Sequence, residues 1–280
     1  MKICDAHTDF LTEIKDKEDR EEYVKGIRKI AGIISCAVFT TNSTMGVKDV
    51  ENFKLELDYY NKKYHTKLLL SIEDLGFIKT IEELYELIEL RPISVTLTWN
   101  DKNQFAGGAH TNKGLTDLGI KVVKLLEENN ILIDTAHLSR KAFKEFCKIT
   151  TKPIYNSHSN INLLHKHNRN LTDKQIKKIV DSDGFLGLTI YEKFISNEKI
   201  TAREIAQQAD YLIKKFGYTN FGLGTDIYGI QKEFLPTDLK SYFEIQNLIK
   251  EMKKLHYSKK IINAIMFKNY KKFLKRIKNL

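Results

Sequence analysis

The sequence predicts an α/β protein: a (β/α)8 TIM barrel forming one domain over residues 1–280, with extra helices after the last strand. Three observations carry that expectation. Short apolar runs alternate with helix-period patterns, and eight such runs are each followed by a helix. The runs are continuously apolar, as in Leu68-Leu69-Leu70 and Ile131-Leu132-Ile133, which suits strands covered by helices on both faces. A doubly wound open sheet would meet both conditions, but no GxGxxG follows the first strand.

Taken in order, strands are expected near 2–6, 33–39, 67–72, 93–98, 130–135, 153–156, 185–190 and 220–225. Helical patterns fill the gaps at 19–30, 47–63, 80–89, 114–129, 139–149, 174–182 and 201–216. Thr172 (before Asp173), Ser139 and Thr201 stand where N-caps belong, because a short side-chain oxygen there accepts from an otherwise unpaired backbone N–H. Three helical stretches follow the last strand, near 239–254, 258–266 and 268–278. Leu255, Ile261, Ile262, Ile265, Phe273 and Ile277 read as their buried stripe. No linker, repeat or low-complexity segment divides the chain.

Composition narrows the class. With 42% hydrophobic and 29% charged residues the chain can bury a sizeable core, and three Pro and 14 Gly are too few for a collagenous or low-complexity protein. Cys4, Cys36 and Cys147 form no CxxC pair, which points to a reducing, cytoplasmic setting and not to a disulfide framework. Charged and polar residues from Asp5 onward leave no room for an apolar leader, and no run approaches the roughly 18 apolar residues of a membrane span. The net charge of +10 raises the question of nucleic acid, yet residues 250–280 hold eleven Lys or Arg against one acid, so the rest is near neutral. Without interleaved aromatic residues for base stacking, that basic stretch reads as solvated helix faces. Neither a nucleic-acid nor a membrane partner is expected.

In a barrel, side chains at the C-terminal strand ends converge on one mouth. The first strand runs into Asp5-Ala6-His7-Thr8-Asp9, the third into Glu73-Asp74 and the fourth into Thr98-Trp99-Asn100. The fifth contributes Asp134 and His137, the sixth Ser157-His158 and the eighth Gly224-Thr225-Asp226. Imidazole nitrogen mixed with carboxylate oxygen is the donor set of a borderline divalent ion such as zinc. His7 and Asp9, two apart on an extended end, leave on the same side and can reach one ion. A single carboxylate between two ions, roughly 3.5–4 Å apart, can bridge them.

These motifs, in this order, resemble the renal (membrane) dipeptidase family of zinc-dependent metallopeptidases, whose fold is an amidohydrolase-like barrel. DAHTD at 5–9 is similar to the family's opening DxHxD, and SIED at 71–74 to its glutamate-bearing third strand. GLTDLGIKVVKLLEENNILIDTAHLS at 114–139 resembles its helix running into a D-x-x-H strand. SHSN at 157–160, HNRNLTD at 167–173 and GLGTD at 222–226 resemble its later segments, so the likeness extends over nearly the whole chain. The resemblance implies a dipeptidase with two zinc ions, His7 and Asp9 on one, His137 and His158 on the other, and Glu73 bridging both. It makes Asp226 the acid/base carboxylate beside a hydroxide held between the ions. Arg169 would hold the substrate's free carboxylate, a task suited to a planar two-pronged cation. The substrate implied is a dipeptide, a D-residue at its C-terminal side included, and a homodimer fits the family.

Two positions depart from the pattern. The best-known branch has a histidine after LTLT, where VTLTWN places Trp99; it reads as a pocket wall, with Asn100 or Asn103 as donors nearby. Tyr228 stands two residues after Asp226, where many members carry an acid, and Tyr191 at the end of the seventh strand is expected to line the pocket. The alternatives are a barrel metallohydrolase of another small amide or phosphoester, and a degenerate barrel kept for binding. The intact set of five ligand candidates weighs against the last.

Overall fold

The computed structural model describes residues 1–40 and 44–278. Among them the strands are β1 (Ile3–Thr8), β2 (Ala31–Phe39), β3 (Leu68–Glu73), β4 (Ser94–Thr96), β5 (Leu132–Asp134), β6 (Tyr155–Ser159), β7 (Phe185–Leu188) and β8 (Phe221–Leu223). Each pairs in parallel with the next, and β1 pairs with β8, so the sheet closes into the expected barrel. Closure leaves no edge strand, and residues on both faces of the strands are buried, which is why most runs are apolar; the polar exceptions in β1 and β6 include the strand-end residues His7 and His158.

Around the barrel lie α1 (Phe10–Glu13), α2 (Lys17–Ile27), α3 (Val47–Tyr64), α4 (Ile81–Glu89), α5 (Asp117–Glu128), α6 (Arg140–Ile149), α7 (Asp173–Asp181) and α8 (Ala202–Phe216). The three caps act as the sequence suggests. Ser139 accepts from Ala142 N, and Thr172 and Thr201 close reciprocal capping boxes with Gln175 and Glu204.

After β8 come α9 (Ile245–Lys254), α10 (Lys259–Asn263), a π-helical turn (Ala264–Lys268) and α11 (Asn269–Lys278). Here two expectations need correction. The helix expected from 239 begins only at Ile245, because Leu239 and Tyr242 are anchored on the barrel as an irregular segment; the Tyr242 hydroxyl donates to Asp5 at 2.7 Å. Leu255, assigned to the buried stripe, is exposed: it is the C-cap of α9, whose inward face is carried by Ile245, Leu248, Ile249 and Met252.

The core has two parts. A large cluster fills the layer between barrel and helices. A smaller one takes Cys4, Ile33, Leu132, Tyr155 and Phe185 from five strands and packs them on Tyr270, Phe273 and Leu274 of α11. These strand residues lie toward the N-terminal ends, so α11 plugs the bottom of the barrel. The Tyr270 hydroxyl is 2.5 Å from Ser35 Oγ and 3.2 Å from the Tyr155 hydroxyl, which in turn donates to Ala6 O at 3.0 Å. The basic residues of this region, among them Lys259, Lys260, Lys268, Lys272 and Lys275, are exposed on its outer face. Among the described residues no helix is long and apolar enough to cross a membrane.

Candidate active site

Two buried aspartates brace the opposite, C-terminal ends of the strands. Asp5 accepts from Thr225 N (2.9 Å), Tyr242 Oη (2.7 Å), His7 N (3.2 Å) and the Thr225 hydroxyl, tying β1 to β8. Asp134 accepts from Ser157 N (2.9 Å) and Ala136 N (3.0 Å), tying β5 to β6. Asp74, Asp226 and Tyr228 have φ of 73°, 64° and 75°, left-handed conformations that non-glycine residues rarely adopt. Such strain persists where surrounding structure holds a side chain in a required direction.

The strand-end candidates converge. His7 Nε2 lies 3.3 Å from Asp9 Oδ2, 3.4 Å from Glu73 Oε2 and 3.9 Å from Asp226 Oδ1. The other oxygen of Glu73, Oε1, lies 2.7 Å from His137 Nε2, which is 3.0 Å from His158 Nε2. Glu73 therefore divides its two oxygens between two histidines from different strand ends. Above them opens a cavity of about 380 Å3 lined by Asp9, Glu73, Trp99, His137, His158, Arg169, Tyr191 and Asp226.

The chemistry of these residues fits divalent metal. His7 Nε2 and both oxygens of Asp9 are buried without a hydrogen-bond partner, a placement that costs about 1–3 kcal/mol per group unless something else satisfies them. Two groups, His7–Glu73–His158 and His7–Asp9–Asp226, hold their ligand atoms within 4.8 Å of one another. Burial and the Glu73 charge raise Asp9 to about 6 against the pull of His7. Burial, with Asp9 and Glu73 as like-charged neighbours, raises Asp226 well above the usual carboxylate range although His7 opposes it. Two buried carboxylates and a half-buried third, crowded in this way, call for a cation. Burial and the nearby Arg169 charge push His137 down to about 3, and burial takes His158 well below its ordinary value, so both imidazoles are neutral and keep a lone pair for a metal.

The sequence model of the membrane dipeptidases, peptidase family M19, matches residues 4–280. The chain belongs to the membrane dipeptidase family. It is thereby a metal-dependent hydrolase acting on peptide bonds. A Klebsiella pneumoniae protein of uncharacterized function is 30% identical over 194 residues, 64% of this chain and 70% of its own length. An Aspergillus oryzae dipeptidase is 25% identical over 205 residues, 70% of this chain but 48% of its own, so the chain spans about half of that relative. Among solved structures, the metallopeptidase described as dipeptidase AC superposes with a TM-score of 0.87 at 18% identity, covering 99% of this chain and 98% of that one. A Rhodobacter sphaeroides metallopeptidase, liganded with a phosphinate mimic of the dipeptide L-Ala-D-Ala, superposes at 0.84 with 17% identity over 99% of both chains. At these identities the structural likeness speaks to the fold.

Arg169 of this dipeptidase-family chain is buried within the cavity wall. Its guanidinium donates to Ala136 O and reaches Nε2 of His137 at 2.8 Å and of His158 at 2.7 Å, with the Phe194 ring 5.3 Å away. Trp99 packs on His137 (6.0 Å, 29° between planes) and edge-on to Phe39 at 5.5 Å, as an apolar wall would. Tyr191 forms the facing wall, edge-on to Phe194 at 4.7 Å. Tyr228 packs edge-on against Tyr23 at 5.0 Å and is not among the cavity-lining residues. Asn103 is no free donor either: its amide is spent on Asp74 Oδ1 (2.9 Å) and Leu97 O (2.7 Å), whereas Asn100 lines the cavity.

Several contributors escape sequence reasoning. The sixth strand end names Ser157 but not its contacts: its Oγ stands 2.7 Å from His158 Nδ1 and 3.4 Å from His7 Nδ1. Phe39 and Phe194 complete the walls from segments with no motif. Gly229 closes the floor of the cavity, where a Cβ would lie 2.2 Å from Asp226 Oδ1 and 2.4 Å from Asp9 Oδ2.

Proposed function

We propose that this family member is a dipeptidase working with two divalent ions, zinc by the donor set, on dipeptides that include those with a D-residue at the C-terminal side. The observation that carries the reading is the division of Glu73 between His7 and His137. Ions held by His7, Asp9 and Glu73 and by Glu73, His137 and His158 would polarise the scissile carbonyl and bring the pKa of water to roughly 7.

The remaining roles fall to the chain's own groups. Asp226, on the cavity wall 3.9 Å from His7, takes the proton from the attacking water and passes it to the departing amine. Arg169 projects into the cavity beside His137 and His158 and offers its guanidinium N–H groups to the substrate's free carboxylate. Phe39 and Trp99 on one side and Tyr191 and Phe194 on the other leave about 380 Å3, room for a small substrate and little more. A peptide extended past the second residue would carry its terminal carboxylate away from Arg169, and one extended at its N-terminal side would need room that the cavity does not offer. Support for a D-residue comes from the L-Ala-D-Ala mimic bound to the Rhodobacter neighbour. Three free cysteines, Cys4 and Cys36 buried, suit a reducing cytoplasmic setting.

The test is elemental analysis of the purified chain beside a panel of L,L and L,D dipeptides. The expected result is about two zinc per chain and dipeptide cleavage that chelator removes and zinc restores. Bound metal with cleavage of phosphoesters alone would overturn the substrate assignment, and absence of metal would overturn the site itself.

A further inference from the structure

We infer that Asn100 is the positioning residue for His137: its side-chain carbonyl holds the imidazole as the Nδ1–H tautomer and so turns the Nε2 lone pair into the cavity. The inference rests on the metal-site reading above and adds the residue that sets one ligand's state.

His137 sits in the loop after β5, so no strand backbone fixes its ring. Its Nε2 edge faces Glu73 Oε1 at 2.7 Å, and its Nδ1 edge lies 3.1 Å from Asn100 Oδ1. A neutral imidazole carries one proton, and an amide oxygen only accepts. Glu73 Oε1 at the other edge only accepts too, but the Arg169 Nη2–H, 2.8 Å from Nε2, needs the Nε2 lone pair, so the proton belongs on Nδ1 and Nε2 is left as the ligand atom. The other two histidines differ. His7 and His158 share the Ser157 hydroxyl at their Nδ1 atoms, and a hydroxyl serves either tautomer. Asn100 is the acceptor-only partner in this set.

Asn100 is itself held in place. Its backbone carbonyl accepts from His110 N at 2.8 Å, and Gly108 N donates to Asp101 O at 3.0 Å. That crossing is close enough to need glycine, since a Cβ on Gly108 would lie 2.2 Å from Trp99 O and 2.5 Å from Asn100 O. Consecutive residues thus grip one imidazole, Trp99 on its face and Asn100 on its edge. A neutral amide does this without adding a carboxylate to a cavity already crowded by Asp9, Glu73 and Asp226.

Asn100→Ala and Asn100→Asp separate this role from a merely structural one. Nitrogen NMR of the histidine-labelled chain reads the tautomer directly, and zinc titration against a competing chelator reads affinity. In the wild type His137 is expected as Nδ1–H; Asn100→Ala should give mixed tautomers and lose about 10–100-fold in affinity for one of the two ions. Asn100→Asp, still an acceptor, should restore both. Wild-type affinity for both ions in Asn100→Ala, or an aspartate variant as weak as the alanine one, would overturn the inference. A wild-type chain that binds no zinc would overturn the metal reading, and the tautomer then decides Asn100 by itself: Nε2–H or a mixture at His137 refutes it.

Discussion

Gly229→Ala asks with a single methyl group whether the gap between Asp9 and Asp226 is where the enzyme works. The added Cβ would lie 2.2 Å from Asp226 Oδ1, 2.4 Å from Asp9 Oδ2 and 3.2 Å from Asp9 Cγ, and real Cβ atoms essentially never come within 3.0 Å of a neighbour. Backbone strain does not enter, because the glycine with left-handed φ among the described residues is Gly217 and not Gly229. Nor is relief cheap: Asp9 is short and buried, and Asp226 stands on a constrained backbone. Each carboxylate must move by about 1 Å, a displacement that costs on the order of 100-fold in rate, or about 2.7 kcal/mol of barrier. The expected result is kcat/KM for a dipeptide down about 100-fold at saturating zinc, with weaker metal retention. Global stability should hold, since alanine also restricts the unfolded chain by about 0.4–1 kcal/mol. Gly217→Ala is the control, for it has φ +82° with nothing near its Cβ: it should lower Tm and leave turnover alone. Gly229→Ala with full metal content and turnover within about threefold of wild type would refute the placement of the working site.

Glu73→Gln keeps the shape but removes the charge shared by His7 and His137; metal content should fall and hydrolysis drop by at least about 100-fold, and unchanged turnover at unchanged metal would sink the bridging role. Arg169→Ala should raise KM by about 10–100-fold, the worth of a charge-assisted pair of hydrogen bonds. An amidated dipeptide supplies the check, because wild type should discriminate against it and the variant should not. Tyr270→Phe removes the hydroxyl between Ser35 and Tyr155; denaturant unfolding should show a loss of about 1–2 kcal/mol with kcat unchanged.

The barrel was legible because cover on both faces makes strands such as β2, β3 and β7 apolar runs, while β6, which reads Tyr-Asn-Ser-His-Ser, is legible by its place in the alternation. The five ligand candidates were legible for a related reason: strand ends meet at the mouth however far apart they lie in sequence, so His7 and His158 could be placed together. What sequence could not carry was orientation. Nothing in the order Trp99-Asn100 says which faces a ring edge, and nothing in Gly229 says where its missing methyl would fall. The C-terminal helices misled in another way. Their charge draws the eye, while their structural work is done by Tyr270, Phe273 and Leu274, which close the barrel against strand residues far away in the chain, Cys4 and Tyr155 among them.

That plug also bears on the site. The Tyr155 hydroxyl donates to Ala6 O, one residue before His7, and Tyr270 touches Tyr155, so a polar chain runs from α11 to the strand that carries His7. Yet β1 has a second anchor one residue earlier, where Asp5 takes bonds from Thr225 N, the Thr225 hydroxyl and Tyr242 Oη. Three bonds at Asp5 from outside the strand outweigh one at Ala6, so loss of the Ala6 contact should loosen the barrel bottom before it moves His7. Tyr270→Phe with altered zinc affinity would show the opposite order, with the strand that carries His7 held from below.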